Sequence, residues 1–413
     1  MDSEARKLWN KDFSLVVIGQ IISLFGNTIL RFALSLHILD VTGSATVFGS
    51  ITAIALIPIV ILSPFGGIIA DRVNRRNIMM VLDFITAISM LVFALSLPTQ
   101  NIIPLIAIML ILLSIIQSFY TPAVQASVPT LQSQNNLVSA NAVINQVTML
   151  ANLVGPILGG VLYGIAGVKQ IVFISSICFF LSALLEIFIN MPFEKRTEKY
   201  SVMGIIKADF QESMVFMTKD QPVILKTMLS ITAFNFFIAS IASVGLPYMV
   251  RIALNLSSEL YGIMAGCMAA AGLLGGLLTG LLANKLKINN LYILLITTGL
   301  FFAPIGFGFF INLVPMTLYV LITACVMLAQ LSASIFSIFT LSAIQKKTPN
   351  HLLGKAMAYI ITLSLCAQPI GQAIYGILFD VFSNQLYVIL ISTAIAMIII
   401  GWLSKRTFRS LES

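Results

Sequence analysis

Long apolar segments alternate with short polar ones along all 413 residues of the chain. A helix needs about 20 apolar residues to cross a bilayer, and each of these segments is about that long. The pattern therefore predicts twelve membrane-spanning helices, six on either side of a charged segment at 192–221. The spans lie at about 13–39, 47–70, 77–98, 101–122, 138–163, 170–190, 222–250, 259–283, 290–311, 316–343, 355–379 and 385–403.

Composition supports this interpretation, since 59% of the residues are apolar and only 9% are charged. A water-soluble fold of this size needs a far more charged surface to stay in solution. The chain is therefore predicted to be an all-α membrane protein with the lipid bilayer as its solvent. Its net charge of +8 is explained by the basic loops that orient membrane proteins, and a nucleic-acid partner is not expected.

The basic residues also predict an orientation. Twelve spans place both termini on one side, and nearly all lysines and arginines fall on loops of that side, with only Lys169 and Arg251 on the other. Loops rich in Lys and Arg stay in the cytoplasm. We therefore expect a multi-pass protein of a bacterial plasma (inner) membrane with both termini cytoplasmic. Trp9 and Trp402 flank the first and last spans at that interface, as aromatic belts do.

A charged loop interrupts the apolar pattern between the second and third spans, at 67–76. A weaker copy follows at 280–287, about half the chain later. A repeat at this spacing indicates two similar halves in tandem, an arrangement found in transporters. We predict an N-terminal half at 1–191, a cytoplasmic linker at 192–221 and a C-terminal half at 222–413.

Signatures of enzymes and ATP-driven pumps are not found. No glycine-rich loop ends in Gly-Lys-Ser or Gly-Lys-Thr, the pattern that binds nucleotide phosphates. His37 and His351 are the only histidines, and the four cysteines lie inside apolar spans without a metal-binding spacing. The chain is expected to be neither an enzyme nor a holder of a cofactor or metal, so active transport would depend on an ion gradient.

Two motifs carry a family resemblance. Gly67, Asp71, Arg72, Arg75 and Arg76 resemble the cytoplasmic loop motif of the major facilitator superfamily, with Asn74 in place of one glycine. The fifth span contains a sequence similar to the antiporter motif of that superfamily, at Gly155, Pro156, Gly159 and Gly160.

Shorter signatures resemble one branch of the superfamily, the macrolide-efflux and enterobactin-exporter branch, or drug:proton antiporter family 3. They lie at 40–45, where Gly43 and Ser44 follow the first span, at 120–123 and at 345–349. The resemblance implies a monomeric transporter that exchanges an amphiphilic small molecule, such as a macrolide, drug or siderophore-like compound, for protons by alternating access. The fourth span departs from better-known members because it lacks their arginine, so no role of that arginine is carried over.

The resemblance also implies that the first, fourth, seventh and tenth helices line a central cavity. The polar residues Asn27, Gln117, Asn235 and Gln330 on those spans are then candidate substrate contacts. Polar side chains also join transmembrane helices to one another, which is the alternative role for each of them.

The loop motif suggests a mechanical role. The Asp71 carboxylate can accept hydrogen bonds from a helix N-terminus, where the dipole favours an anion, and so latch the cytoplasmic face shut. Asp83 lies two helical turns into the third span, within reach of Arg76 or Arg75 if either side chain folds back. Alternatively, the arginines only bind anionic lipid and determine topology.

Arg31 is a basic residue well inside a span, where its insertion costs about 2.5–3.5 kcal/mol. Together with Gln20, Ser23 and Asn27 it forms one stripe of a helix, which favours a wet cavity. Under this interpretation Arg31 binds an anionic group of the substrate or stabilises the ionised form of a nearby acid that exchanges protons. In the alternative, it snorkels to the outer interface beside Asp40.

Proton exchange requires a titratable acid that reaches both sides of the membrane in turn. The candidates are Asp40, Asp83 and Glu186, followed by Glu259 and Asp380. All lie near span ends, where a solvated or lipid-facing role also fits, so a facilitator without coupling stays open. A lipid or lysolipid transporter on the same scaffold and a non-transporting membrane sensor also stay open.

Pro156 either forms a hinge or only bends the fifth span.

Overall fold

The computed structural model describes residues 8–96, 102–192, 218, 221–282 and 285–412. The predicted linker at 192–221 lies almost entirely outside these residues. Within the described ranges all regular secondary structure is helical, which confirms the predicted fold class.

Five helices cover the first half of the chain. Gly167 bends the last of them with φ 76° and ψ 175°, a left-handed conformation that glycine adopts without a side-chain clash. The fifth and sixth spans, predicted as separate helices, are therefore two helices that follow each other directly and meet at this non-helical residue within the 51 residues of Leu137–Ile187. The helices are α1 (Lys11–Thr42), α2 (Ala45–Arg72), α3 (Arg75–Ser96), α4 (Ile102–Leu131) and α5 (Leu137–Ile187).

Seven helices of nine or more residues follow in the described part of the second half. They are α6 (Pro222–Ser240), α7 (Ser258–Leu282), α8 (Leu291–Leu300), α9 (Phe302–Phe310), α10 (Pro315–Lys347), α11 (Asn350–Val381) and α12 (Leu386–Glu412). The seventh span is completed by π-helical turns beyond α6, at Ile241–Gly245 and Met249–Ala253. The ninth span consists of α8 and α9 together.

The described residues contain 11 helical segments that are long and apolar enough to cross a membrane. One of them, Gln134–Ile187, has 54 residues and contains the two spans that meet at Gly167. The segments thus account for the twelve predicted spans. Large apolar side chains point outward along them, including Leu95 and Leu281 with 75% of their surface exposed, as lipid-facing residues do.

Two compact units are present. The first contains α1, α3, α4, α5 and most of α2, together with Ser257–Gly266 at the start of α7. The second contains α6, the rest of α7 and α8–α12, together with Ser44–Ala53 at the start of α2. Each unit thus includes the beginning of one helix from the other half of the sequence. The predicted division into halves at 192–221 stays a prediction.

Candidate functional site

A buried acid lies at the centre of a hydrogen-bonded cluster in the first unit. Asp83 on α3 is 2% exposed, and its Oδ2 accepts a hydrogen bond of 2.6 Å from the Ser23 hydroxyl of α1. Ser23 Oγ is also 2.8 Å from Ser182 Oγ of α5, and Ser182 in turn donates to the Gly19 carbonyl at 3.2 Å. The carboxyl group is thus buried away from bulk water, and a chain of hydroxyl groups supplies its hydrogen bonding.

A second buried acid belongs to the same cluster. Glu186 lies one helical turn beyond Ser182 on α5 and is also 2% exposed. The Tyr120 hydroxyl of α4 donates to its Oε1 at 2.9 Å. Its Oε2 is buried and has no hydrogen-bond partner within the described residues. Burial of a polar atom without a hydrogen-bond partner costs free energy, so binding of a proton or a water molecule at this oxygen is favourable.

A small cavity of about 40 Å³ adjoins the cluster. One water molecule needs a cavity of about 10–15 Å³, so this cavity can hold water in contact with the acid. It is lined by Asn27 of α1 and by Gln117 and Tyr120 of α4, as well as by Asp83 and Ser23. The structure therefore brings two predicted substrate contacts, Asn27 and Gln117, together with one predicted proton site, Asp83.

Arg31 continues the polar stripe of α1 beyond this cavity. Its Nε donates to Asn27 Oδ1 at 3.1 Å, and its two terminal nitrogens each lie 3.2 Å from Ser114 Oγ of α4. These partners are neutral. The guanidinium is thus held between α1 and α4 by uncharged acceptors, and the role of Arg31 towards a substrate stays a prediction.

The charged loop forms local bonds in this structure. Asp71 has 65% of its side chain exposed and lies 3.8 Å from an Arg75 nitrogen. Arg75 also donates to Thr130 Oγ1 at 2.6 Å. Arg76 Nε donates to the Glu186 carbonyl at 3.2 Å, and a terminal nitrogen of Arg76 donates to the Ile187 carbonyl. Asp83 is thus bonded to Ser23 while Arg76 binds the end of α5, and a contact between Asp83 and an arginine stays a prediction.

The four residues of the antiporter motif lie on α5 at crowded helix contacts of the first unit. A Cβ at Gly155 would lie 2.6 Å from Thr28 Cγ2, and one at Gly159 would lie 3.0 Å from Phe32 Cδ1, both on α1. A Cβ at Gly160 would lie 2.6 Å from the Ser258 carbonyl oxygen of α7. The Pro156 carbonyl faces Gly262 of α7 in the same way. These glycines thus allow α1, α5 and α7 to approach closely.

The remaining candidates lie on α1, α2, α6 and α10. Asn235 Nδ2 donates to the Ile231 carbonyl of its own helix at 3.1 Å. Gln330 borders a cavity of about 10 Å³ in the second unit. Asp40 is half-buried near the end of α1, and Arg72 and Gly67 lie near the end of α2. Their roles stay predictions.

The sequence did not predict a functional role for two residues of the acid cluster, Ser182 and Tyr120. Ser182 and Glu186 are four residues apart, so they share one face of α5. This spacing was a usable signal for Ser182. Tyr120 had no such signal, because its partner is on another helix.

The comparisons with known proteins agree with this architecture. The family model of the Major Facilitator Superfamily matches residues 16–372. Macrolide efflux protein A of Streptococcus pyogenes is 24% identical over 405 residues, which are 95% of this chain and 95% of that protein. The staphyloferrin A transporter of Staphylococcus aureus is 23% identical over 241 residues, 58% of this chain and 59% of that protein. The solved structure of a POT family transporter with 5-aminolevulinic acid has a TM-score of 0.74 and 14% identity, covering 97% of this chain and 96% of that one.

Proposed function

The chain belongs to the Major Facilitator Superfamily of transporters, and from this premise we propose that it exports an amphiphilic small molecule in exchange for protons. Export proceeds by alternating access, in which a substrate site opens to one side of the membrane at a time. The cargo is a macrolide, another amphiphilic drug or a siderophore-like compound. The protein acts as a monomer in a bacterial plasma membrane, with both termini in the cytoplasm.

The acid cluster is the observation that carries proton exchange. Asp83 and Glu186 are both buried, and Ser23, Ser182 and Tyr120 supply hydroxyl groups around them. A cavity large enough for water links Asp83 to Asn27 and Gln117. A carboxyl group that binds and releases a proton beside polar residues of the substrate helices is what coupled exchange requires. Asp40 is the less favoured candidate, since it lies outside this cluster.

The direction and the cargo rest on the relatives. Macrolide efflux protein A is similar over nearly the whole chain, which supports efflux of a macrolide-like amphiphile. The staphyloferrin A transporter, similar over more than half of the chain, supports a siderophore-like cargo. The Arg31 guanidinium, which has neutral partners on α1 and α4, suits an acidic group on the substrate.

Uptake into everted membrane vesicles tests this function, because export from the cell becomes uptake when the membrane is turned inside out. We expect vesicles with the protein to accumulate radiolabelled erythromycin when respiration is energised, and a protonophore to abolish this uptake. Vesicles without the protein are the control. The proposal would be contradicted if vesicles with and without the protein took up erythromycin, a lipophilic cationic dye and a ferric siderophore equally. Uptake of a lysolipid instead would support a lipid transporter on the same fold.

Asp71→Asn should slow transport several-fold without changing stability or membrane insertion. The Asp71 side chain is 65% exposed and lies 3.8 Å from the Arg75 nitrogen, so loss of this ion pair should change the free energy of unfolding by less than about 1 kcal/mol. A latch role instead requires the charge at a helix N-terminus in another conformation. The measurements are initial transport rates and thermal unfolding of the purified variant. Full transport in D71N would leave only the lipid-anchoring role for this loop.

Arg31→Lys should raise the substrate KM about tenfold with little change in folding. Lysine keeps the charge but cannot bond Asn27 and Ser114 with one planar fork, and loss of a charged hydrogen bond costs about 1.5–3 kcal/mol. KM and kcat are measured in vesicles for an acidic and a neutral substrate. An equal KM change for both substrates would show that Arg31 positions helices and does not bind an acidic group.

A further inference from the structure

A carboxylate of the second half of the chain is bound to the start of a helix from the first half. Asp380, at the end of α11, accepts hydrogen bonds from the Ser44 hydroxyl at 2.6 Å, from the Ala45 amide at 2.7 Å and from the Thr46 amide at 2.9 Å. The Thr46 hydroxyl also donates to the Gly376 carbonyl at 3.3 Å. We call this contact between 44–46 and Asp380 the α2–α11 latch.

The signature after the first span explains why α2 presents these donors. Gly43 ends α1 in the left-handed conformation, with φ 62°, and turns the chain so that α2 begins two residues later. Ser44 then acts in two directions: its Oγ accepts from the Val47 amide at 3.2 Å and donates to Asp380. The first amides of a helix lack partners within the helix and carry partial positive charge. One carboxylate of α11 satisfies two of them.

The two backbones meet closely beside the latch. A Cβ at Gly376 would lie 2.6 Å from the Ala45 carbonyl oxygen and 3.2 Å from Thr46 Cα. A Cβ at Gly49 would lie 2.6 Å from the Gln372 carbonyl oxygen. The charged hydrogen bonds of Asp380 thus act at a point where the two backbones are already in close contact.

We propose that Asp380 and Ser44 form a releasable latch, which holds α2 against α11 in one state of the transport cycle and opens in the other. α2 and α11 come from the predicted N-terminal and C-terminal halves of the sequence, and alternating access requires these halves to move apart at one membrane face. Asp380 is only half-buried, so water can solvate the carboxylate when the bonds break. The proposal rests on alternating access, and hence on the transporter family, but not on the identity of the cargo or the coupling ion.

Spin-label distances in detergent or nanodiscs test the latch without any substrate. The labels are attached at Val41→Cys and Asn384→Cys, two exposed positions that flank the latch. Cys178, Cys267, Cys325 and Cys366 are first replaced by alanine. Asp380→Asn should raise the ratio of long to short distances about tenfold. Asparagine lacks the charged carboxylate that accepts these hydrogen bonds, and the loss of one such bond changes an equilibrium constant by about a factor of ten. Ser44→Ala should give a smaller rise.

Ser383→Ala is the matched control, because Ser383 is exposed in the same loop and its amide donates only to the Asp380 backbone carbonyl. It should leave the distance distribution unchanged. Ser44→Ala should add little in the D380N background, since its acceptor has already lost its charge. Size-exclusion chromatography and thermal unfolding identify any misfolded variant. The proposal is overturned if D380N and S44A both give the S383A distribution, or if their effects are independent.

Discussion

Asp83→Asn should abolish the substrate gradient that the protein builds, while substrate exchange without a proton gradient continues. Asparagine has nearly the shape of aspartate, and its amide can bond the Ser23 hydroxyl that now donates to Asp83 at 2.6 Å. It cannot, however, bind and release a proton. If exchange of protons for substrate passes through Asp83, the variant still opens to each side in turn but loses its source of energy.

The size of the loss follows from the driving force. Moving one elementary charge through 100 mV releases about 2.3 kcal/mol, which corresponds to roughly a 50-fold concentration ratio of substrate. In proteoliposomes with an imposed proton gradient, this ratio should fall to about one in D83N. Counterflow, the exchange of labelled for unlabelled substrate, should keep nearly its normal rate because it needs no proton.

Asp12→Asn is a suitable control for this experiment. Asp12 lies in the first turn of α1, where its Oδ1 accepts from the Asn190 amide at 2.8 Å, away from the cavity. It should leave gradient and counterflow unchanged. A D83N protein that still builds the gradient would contradict the assignment. If Glu186→Gln then loses it, the proton site lies at the Glu186–Tyr120 bond instead.

The helices themselves could be predicted from the sequence, because hydrophobic length alone determines where a chain can cross lipid. The bend at Gly167 could not. A loop and a sharp kink have the same composition there, and only the backbone geometry shows that the two helices within α5 follow each other directly at the non-helical Gly167. The π-helical turns beyond α6 were hidden in the same way, since their apolar residues look like any other part of a span.

The candidate site could be predicted where one helix contains it. Ser23, Asn27 and Arg31 share a stripe of α1 by helical periodicity, and the structure places all three in polar contacts. Pairings between helices could not be read from the sequence. Electrostatics predicted a carboxylate on a helix N-terminus at Asp71, and that role stays a prediction; the structure shows a contact of this kind at Asp380. Either acid follows an apolar span, and only the packing of α2 on α11 distinguishes them.

Gly160→Ala should reduce transport at least about fivefold, although it adds only one methyl group. The new Cβ would lie 2.6 Å from the Ser258 carbonyl oxygen and 3.1 Å from Gly262 Cα. These are backbone atoms at the start of α7, so no flexible side chain can move aside. Overpacking of this kind costs about 1–3 kcal/mol. Because α7 belongs to the second half of the sequence, the cost falls on the state in which α5 and α7 are in contact.

The same clash predicts how the loss appears. A state that is 1–3 kcal/mol less favourable is depopulated by about five- to 150-fold, so the cycle slows while the protein stays folded. Transport rates in proteoliposomes should therefore fall much more than the unfolding temperature. Gly276→Ala is the matched control, since its Cβ would meet only Ile338 Cδ1 at 3.8 Å, an ordinary contact. If G160A and G276A transport equally well, contact between α5 and α7 is not a required step, and the antiporter motif serves static packing alone.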